Sequence, residues 1–314
     1  MSALDPGFQA MLEAQAKAMG DQPAPDMDAL PLALVRGGYR MQRQAADRSP
    51  PKDVEARDLA VAGGAGEIPA RLYTPSGAST PSGLLVYFHG GGFVIGDLES
   101  HDGHCRRLAA GAGCRILSVD YRLAPEHPFP AGHDDALAAT RWAVDHAADI
   151  GADPARIAVG GDSAGGNLAA SLALDLRDDP MRRIVFQLLL YPGISPNDET
   201  ASRKTLDGPI LTRSVLAWFE KHLAALGHPH AHRAQLGERD LAGAPPALIV
   251  TAGFDPLKDE GRDFAARLNA AGVAARHVEH PSLIHDFFIM PDISPKVLEV
   301  VGETAAVLRA ALGG

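Results

Sequence analysis

Cysteine is nearly absent from this 314-residue chain, which has only Cys105 and Cys114. So few thiols exclude a disulfide framework. Neither stands in metal-ligand spacing, and both fall in a stretch that reads as a helix followed by a strand, so buried free thiols are expected. Long apolar runs are missing too. No stretch approaches the ~18 residues of a membrane span. The amino terminus has no basic segment ahead of an apolar one, because Asp5 and Pro6 come early. A cytoplasmic location without stable membrane association is the expectation. Positive charge is in deficit, with 29 Lys and Arg against 39 Asp and Glu for a net charge of -10. That removes the electrostatic footprint needed for nucleic acid, and a small neutral molecule is the better partner.

What is present is ordinary for a globular chain: 46% hydrophobic and 22% charged residues, with 33 glycines and 24 prolines punctuating short elements. Neither an internal repeat nor a low-complexity segment stands out, and the length suits one large domain with an attached cap. From Asp5 to Met19, the apolar residues Phe8, Met11, Leu12 and Met19 recur at helical spacing, with Asp5 as N-cap and Pro6 at the first helical position. A proline-rich break at Gln22 to Asp28 leads to a second helical stretch, Leu32 to Ala46, closed by Ser49-Pro50-Pro51. Two strand-like runs, Val54 to Val61 and Ile68 to Tyr73, flank Gly63-Gly64-Ala65-Gly66 and read as a hairpin with a longer loop.

After the hairpin the pattern changes to short apolar runs: Leu84 to Phe88, Arg115 to Asp120, Arg156 to Gly160, Ile184 to Leu190, Ala247 to Thr251 and Ala274 to Glu279. Helical stretches separate most of them: Gly103 to Ala112, His133 to Ala148, Ala164 to Arg177 and Asp259 to Ala271. Continuous apolar strands alternating with helices imply a mostly parallel sheet covered on both faces. Between Leu190 and Ala247 there is more chain than a crossover needs. That interval holds a Pro/Asn/Asp-rich loop and an amphipathic helix near Thr212 to Leu226. An insertion there lies above the carboxyl ends of the strands, where such sheets bind ligands.

The strongest chemical signal is Gly160-Gly161-Asp162-Ser163-Ala164-Gly165-Gly166, set between a strand and a helix. It is a Gly-x-Ser-x-Gly nucleophile elbow in its required context, the mark of an α/β-hydrolase. A serine on so tight a turn has strained backbone angles, and side chains two positions to either side would collide, hence Gly161 and Gly165. Ser163 is thereby exposed at a helix N-terminus that favours a developing anion. The second signal, His89-Gly90-Gly91-Gly92-Phe93, follows a strand directly. Its glycines let backbone N–H groups turn inward, and Gly91, Gly92 and Ala164 are the expected donors of an oxyanion hole. A phosphate-binding loop is the rival, but no Lys-Ser/Thr follows. His89 is expected to brace the loop.

A serine hydroxyl needs a base, and the base needs an acid to orient it, in the chain order Ser, Asp or Glu, His. Asp255, Asp259 and Asp263 follow the strand Ala247 to Thr251. Asp255 is nearest its carboxyl end and in the loop, whereas Asp259 suits a helix N-terminus and Asp263 a solvated face. Among the later histidines, His277 falls inside a strand and His280 at its end. His285 lies in the loop Ser282 to Phe287, from which a side chain can reach the serine. His101, His104, His127 and His133 precede the nucleophile. Phe93, Tyr191, Leu211 and Phe219 are apolar residues near strand ends or in the insertion, suited to line substrate pockets or the core.

With these motifs the chain resembles the bacterial hormone-sensitive lipase-like esterases over nearly its whole length. The resemblance rests on His89-Gly90-Gly91-Gly92-Phe93-Val94, Asp120 to Ala131, Gly161 to Gly166 and Gly253-Phe254-Asp255-Pro256-Leu257. It implies an α/β-hydrolase fold with an eight-stranded, mostly parallel sheet, helices on both faces and a helical cap. The cap would comprise residues 1–50 and 191–243, and the core 51–190 and 244–314. It implies hydrolysis of short- to medium-chain carboxylic esters through Ser163, Asp255 and His285, an acyl-enzyme intermediate, and no cofactor or metal. Amide or other acyl hydrolysis on the same triad is the nearest alternative. Related plant receptors of this fold bind without turnover, but they lack the working histidine that His285 supplies here. A homodimer is an assembly such proteins adopt, although no residue singles it out. The proline-rich Tyr121 to Ala131 is expected to form a structural loop under the site. One departure stands out: Asp286 follows the histidine where the family usually has glycine. Aspartate tolerates left-handed backbone, but its charge so close alters the imidazole's surroundings.

Overall fold

Asp5 starts the first helix, α1 (Pro6–Met19), by accepting the N–H groups of Gly7 and Phe8 at 2.9 and 3.4 Å, while Pro6 supplies the preset first turn. The computed structural model describes residues 3–20, 26–194, 200–224 and 228–313. Residues 22–25 of the expected break, 195–199 of the expected loop and 225–226 of the expected insertion helix lie outside that range. The second helix is α2 (Leu32–Ala45). The hairpin strands are β1 (Val54–Gly63) and β2 (Gly66–Pro75). They pair down to Gly63 opposite Gly66, so the expected longer loop is a two-residue turn, with the Gly64 N–H donated to Asp135 at 2.7 Å.

The rest alternates: β3 (Ser82–Phe88), α3 (Asp102–Ala112), β4 (Arg115–Val119), α4 (Ala131–Asp145), β5 (Ala152–Asp162), α5 (Ala164–Leu176) and β6 (Ile184–Leu190). The insertion holds α6 (Ala201–Thr205) and α7 (Arg213–Leu223), the latter capped by Thr212, which accepts the Val215 N–H at 3.1 Å. Then come β7 (Ala247–Phe254), α8 (Lys258–Ala270), β8 (Ala275–Ile284) and α9 (Pro295–Ala311). Among the described residues, eight strands form one sheet in the order β1-β2-β4-β3-β5-β6-β7-β8. β1 and β2 are antiparallel to their neighbours, and all pairs from β4·β3 onward are parallel.

Every residue of β3 and β4 is buried, as a strand covered on both faces requires. One core layer packs α4, α5 and α8 on the sheet; the opposite layer packs α3 and α9, together with Phe8 of α1, Tyr39 of α2 and Trp218 of α7. Cys105 and Cys114 are buried and free. Two elements depart from the sequence pattern. β8 continues through Pro281 to Ile284 instead of ending at Glu279, which its place at the sheet edge permits, because an edge residue without an N–H breaks no ladder. The helix α9 was not foreshadowed, although Ser294 and Pro295 provide its cap and first turn and Val297, Val300, Val301 and Leu308 its buried stripe.

Candidate active site

The carboxyl ends of β3, β5, β7 and β8 open on one side of the sheet, and each is followed at once by a residue or loop that the sequence singles out. After β5, Ser163 takes φ +53° and ψ −115°, a strained conformation for a residue with a side chain. Its glycine neighbours permit it. A Cβ on Gly161 would strike the backbone of Gly165 and the Phe88 carbonyl, and one on Gly165 would strike the Phe88 and His89 carbonyls. The collisions are thus largely with the end of β3, which brings the serine turn against the glycine loop.

After β7, Asp255 is fully buried, and its carboxylate accepts the Leu257 N–H at 2.8 Å. After β8, His285 places Nδ1 2.7 Å from Asp255 Oδ2 and Nε2 2.9 Å from Ser163 Oγ. Burial alone would lower the imidazole's pKa. Asp255 opposes this through charge and hydrogen bond, helped by Asp286 and Asp162, so the net shift is upward from 6.5. The rival acids lie elsewhere: Asp259 accepts the Ser202 N–H at 2.8 Å near the start of α8, and Asp263 pairs with exposed Arg262. Among the rival bases, the His277 ring meets Thr251 at 2.8 Å and His280 lies within β8.

The glycine loop has Gly91 at φ +109°, Gly92 at +59° and Phe93 at +64°. No backbone acceptor among the described residues takes the N–H groups of Gly91, Gly92 or Ala164. His89 is buried with Nδ1 2.7 Å from the Gly90 carbonyl oxygen, its ring stacked on Tyr121 at 4.4 Å. Burial drives its pKa down to about 4, so it braces the loop as a neutral ring. A residue that sequence reasoning passed over is Asp162, just before the serine. It is fully buried and accepts from the Tyr87 hydroxyl at 2.6 Å and the Gly90 N–H at 3.0 Å, with His101 Nε2 at 3.3 Å. Burial opposes its ionisation, but His101 and Tyr87 hold the carboxyl well below its ordinary range. Its place inside the serine motif was the available signal.

Above Ser163 the space divides in two. A cavity of about 350 Å³ is lined by Ser163, His285, Asp286, Gly91 and Gly92, with apolar side chains of α2 and α7 opposite. A second, of about 70 Å³, is lined by Ser163, Ala164, Phe93, Leu216 and Leu223. Leu211 and Phe219 border both. Tyr191 differs from these three pocket candidates: it is fully buried at φ +35°, its ring 4.8 Å from that of His285, and it lines neither cavity. Tyr121 to Ala131 also does more than support the floor. The Tyr121 hydroxyl donates to the His89 carbonyl at 2.8 Å, and the Ala124 carbonyl and Glu126 both receive Arg36 of α2.

Asp286 has φ +63°, the left-handed backbone expected of a glycine substitute there. Its buried carboxylate accepts from Arg43 Nη2 at 3.0 Å and the Tyr39 hydroxyl at 3.4 Å, and lies 3.6 Å from His285 Nε2. Arg43 and Tyr39 belong to α2, and nothing in the spacing of the sequence pairs them with residue 286.

Comparison with known proteins agrees with this architecture. Residues 85–289 match the model of a family described by its alpha/beta hydrolase fold. Esterase LipI of Mycobacterium tuberculosis is 42% identical over 301 residues, 92% of this chain and 93% of LipI. Carboxylesterase NlhH of the same species is 40% identical over 285 residues, 89% of each chain. Among solved structures, ester-hydrolase EH1AB1 from the metagenome of Lake Arreo, complexed with a bipyridine phosphonate derivative, superposes with a TM-score of 0.93 at 40% identity, covering 99% of this chain and 100% of the other. Sheet order, the Gly-x-Ser-x-Gly turn and relatives converge, and the chain belongs to the alpha/beta hydrolase fold family.

Proposed function

We propose that this protein is a serine carboxylesterase acting on small esters of short to medium acyl chain. The observation that carries the reading is the line Asp255–His285–Ser163, with successive contacts of 2.7 and 2.9 Å, opening into a largely apolar cavity. His285 Nε2 accepts the Ser163 proton as Oγ attacks the ester carbonyl, and Asp255 holds the ring through Nδ1–H and stabilises the imidazolium. The tetrahedral oxyanion takes the N–H groups of Gly91, Gly92 and Ala164, which meet no backbone acceptor among the described residues, each such donor lowering the barrier by about 3 kcal/mol. His285 then returns the proton to the leaving alcohol, and a water activated by the same ring releases the acid. The acyl and alcohol portions divide between the two compartments that Phe219 and Leu211 separate. The segments carrying α2 and α7 act as the cap. The names of LipI, NlhH and EH1AB1 support the same chemistry.

Parallel assay of p-nitrophenyl acyl esters and matched anilides, with a fluorophosphonate probe followed by peptide mapping, tests this. Ester turnover well above anilide turnover, with the label on Ser163, is expected. Equal anilide turnover makes the protein an amidase on the same triad. A label on Ser163 without turnover makes it a binding protein.

A further inference from the structure

Along α2 three arginines recur at helical spacing, Arg36, Arg40 and Arg43, and between them they reach two sides of the site's surroundings. Arg36 donates to the Val94 carbonyl at 2.8 Å, the Ala124 carbonyl at 3.0 Å and Glu126; Arg40 donates to Asp97 at 2.7 Å. Both therefore clasp the segment following the glycine loop. Arg43 reaches the other side of the cavity, where Asp286 follows the base. It is 5% exposed, lies 4.7 Å over the Tyr39 ring, donates to Met290 Sδ at 2.7 Å, and leaves Nε without a partner among the described residues. We infer that Arg43 is a positioning residue for His285: by engaging the Asp286 carboxylate it keeps that charge from capturing the imidazolium's Nε2–H, so the docked α2 sets the pH range over which the base works.

The inference rests on the esterase reading above and names a part of the protein that the triad does not include. Asp286 Oδ1 lies 3.6 Å from the very nitrogen that must exchange a proton with Ser163 Oγ at 2.9 Å. A carboxylate at that distance favours the protonated ring and offers Nε2–H an alternative acceptor to the leaving alcohol. Arg43 offsets the charge and occupies the other carboxylate oxygen, Oδ2, at 3.0 Å. The remaining groups facing this pair and the ring are Asp255 after β7, Asp162 at the end of β5, Tyr191 after β6 and Tyr39 on α2. The two tyrosines are buried with pKa values well above 10 and stay neutral through the working range. Asp255 is bound to Nδ1, the far side of the ring. Arg43 is thus the cation set against Asp286, and it is delivered by a segment about 240 residues earlier in the chain.

The pH dependence of kcat/KM on a p-nitrophenyl ester tests this in Arg43→Met, Asp286→Asn and the double variant. Arg43→Met leaves Asp286 uncompensated, so the acid limb moves up by about one pH unit. Asp286→Asn removes the anion and leaves the cation, so the limb moves down. The double variant returns it close to the wild-type position. Limbs that stay in place or move in the same direction in both single variants overturn the inference, because a merely structural role lowers kcat without opposite displacements. Asparagine keeps the volume and tolerates the left-handed backbone, so Asp286→Asn decides the matter from the other side if Arg43→Met fails to fold. NMR titration of the His285 ring without substrate reads the same displacements. If the wild type hydrolyses no ester, the esterase reading falls while the ring titration still decides the role of Arg43.

Discussion

The serine turn and the α2 arm bound the same cavity but are held by different forces. At the turn, position follows from backbone and close packing: Ser163 at φ +53°, Gly165 pressed on the carbonyl end of β3, and Asp162 fixing the glycine loop through the Gly90 N–H. The arm adds ion pairs to its apolar contacts, with Arg36, Arg40 and Arg43 set on Glu126, Asp97 and Asp286. Leu34, at the cavity, and Met41 are more than 60% exposed. Packed backbone cannot move without losing its contacts, whereas the partly exposed pairs Arg36–Glu126 and Arg40–Asp97 are weaker and sensitive to salt; Arg43–Asp286 is the buried member of the set. On the esterase reading proposed above, the reacting residues sit on the packed side, and α2 lines the cavity from the side tied by charge.

Four variants break or sharpen that contrast. Ser163→Ala removes the nucleophile and lowers kcat by a factor on the order of 10⁴ to 10⁶, with an unfolding midpoint near wild type; turnover within tenfold of wild type refutes the assignment. Gly165→Ala drives a Cβ into the Phe88 carbonyl and costs about 3 kcal/mol in urea denaturation, with ester turnover falling in the protein that still folds. Phe219→Ala opens the wall between the two compartments, and the kcat/KM ratio of octanoate to butyrate esters rises about tenfold. Arg36→Met loosens the arm while the sheet stays intact. It lowers kcat/KM only a fewfold, about 1 kcal/mol, and makes the rate more sensitive to added salt while the unfolding midpoint holds. A larger loss of stability from Arg36→Met than from Gly165→Ala reverses the contrast between the two regions.

Much of the rigid side was legible in the chain. Alternating apolar runs and helices marked the parallel sheet, and the glycines around Ser163 marked a turn that no other residue tolerates. Chain order with strand ends separated Asp255 from Asp259 and His285 from His277, and the structure brings the chosen three together. Errors fell where a local rule met a tertiary exception. Pro281 reads as a strand terminator, yet β8 continues past it because it lies at the sheet edge. Tyr191 reads equally as a pocket or a core aromatic, and the structure places it in the core with its ring against His285.

What the sequence determined by itself is what short spacing encodes: helix faces, strand ends, the nucleophile turn and the left-handed backbone that Asp286 tolerates in glycine's stead. Tertiary structure alone decided what Asp286 does. Its partner, Arg43, is 243 positions away, and no periodicity reaches that far. Folding brings the two charges to 3.0 Å in a buried setting, where an unpaired carboxylate beside the His285 ring would be costly. A departure that looked local in the chain thus became the point where the arm meets the triad.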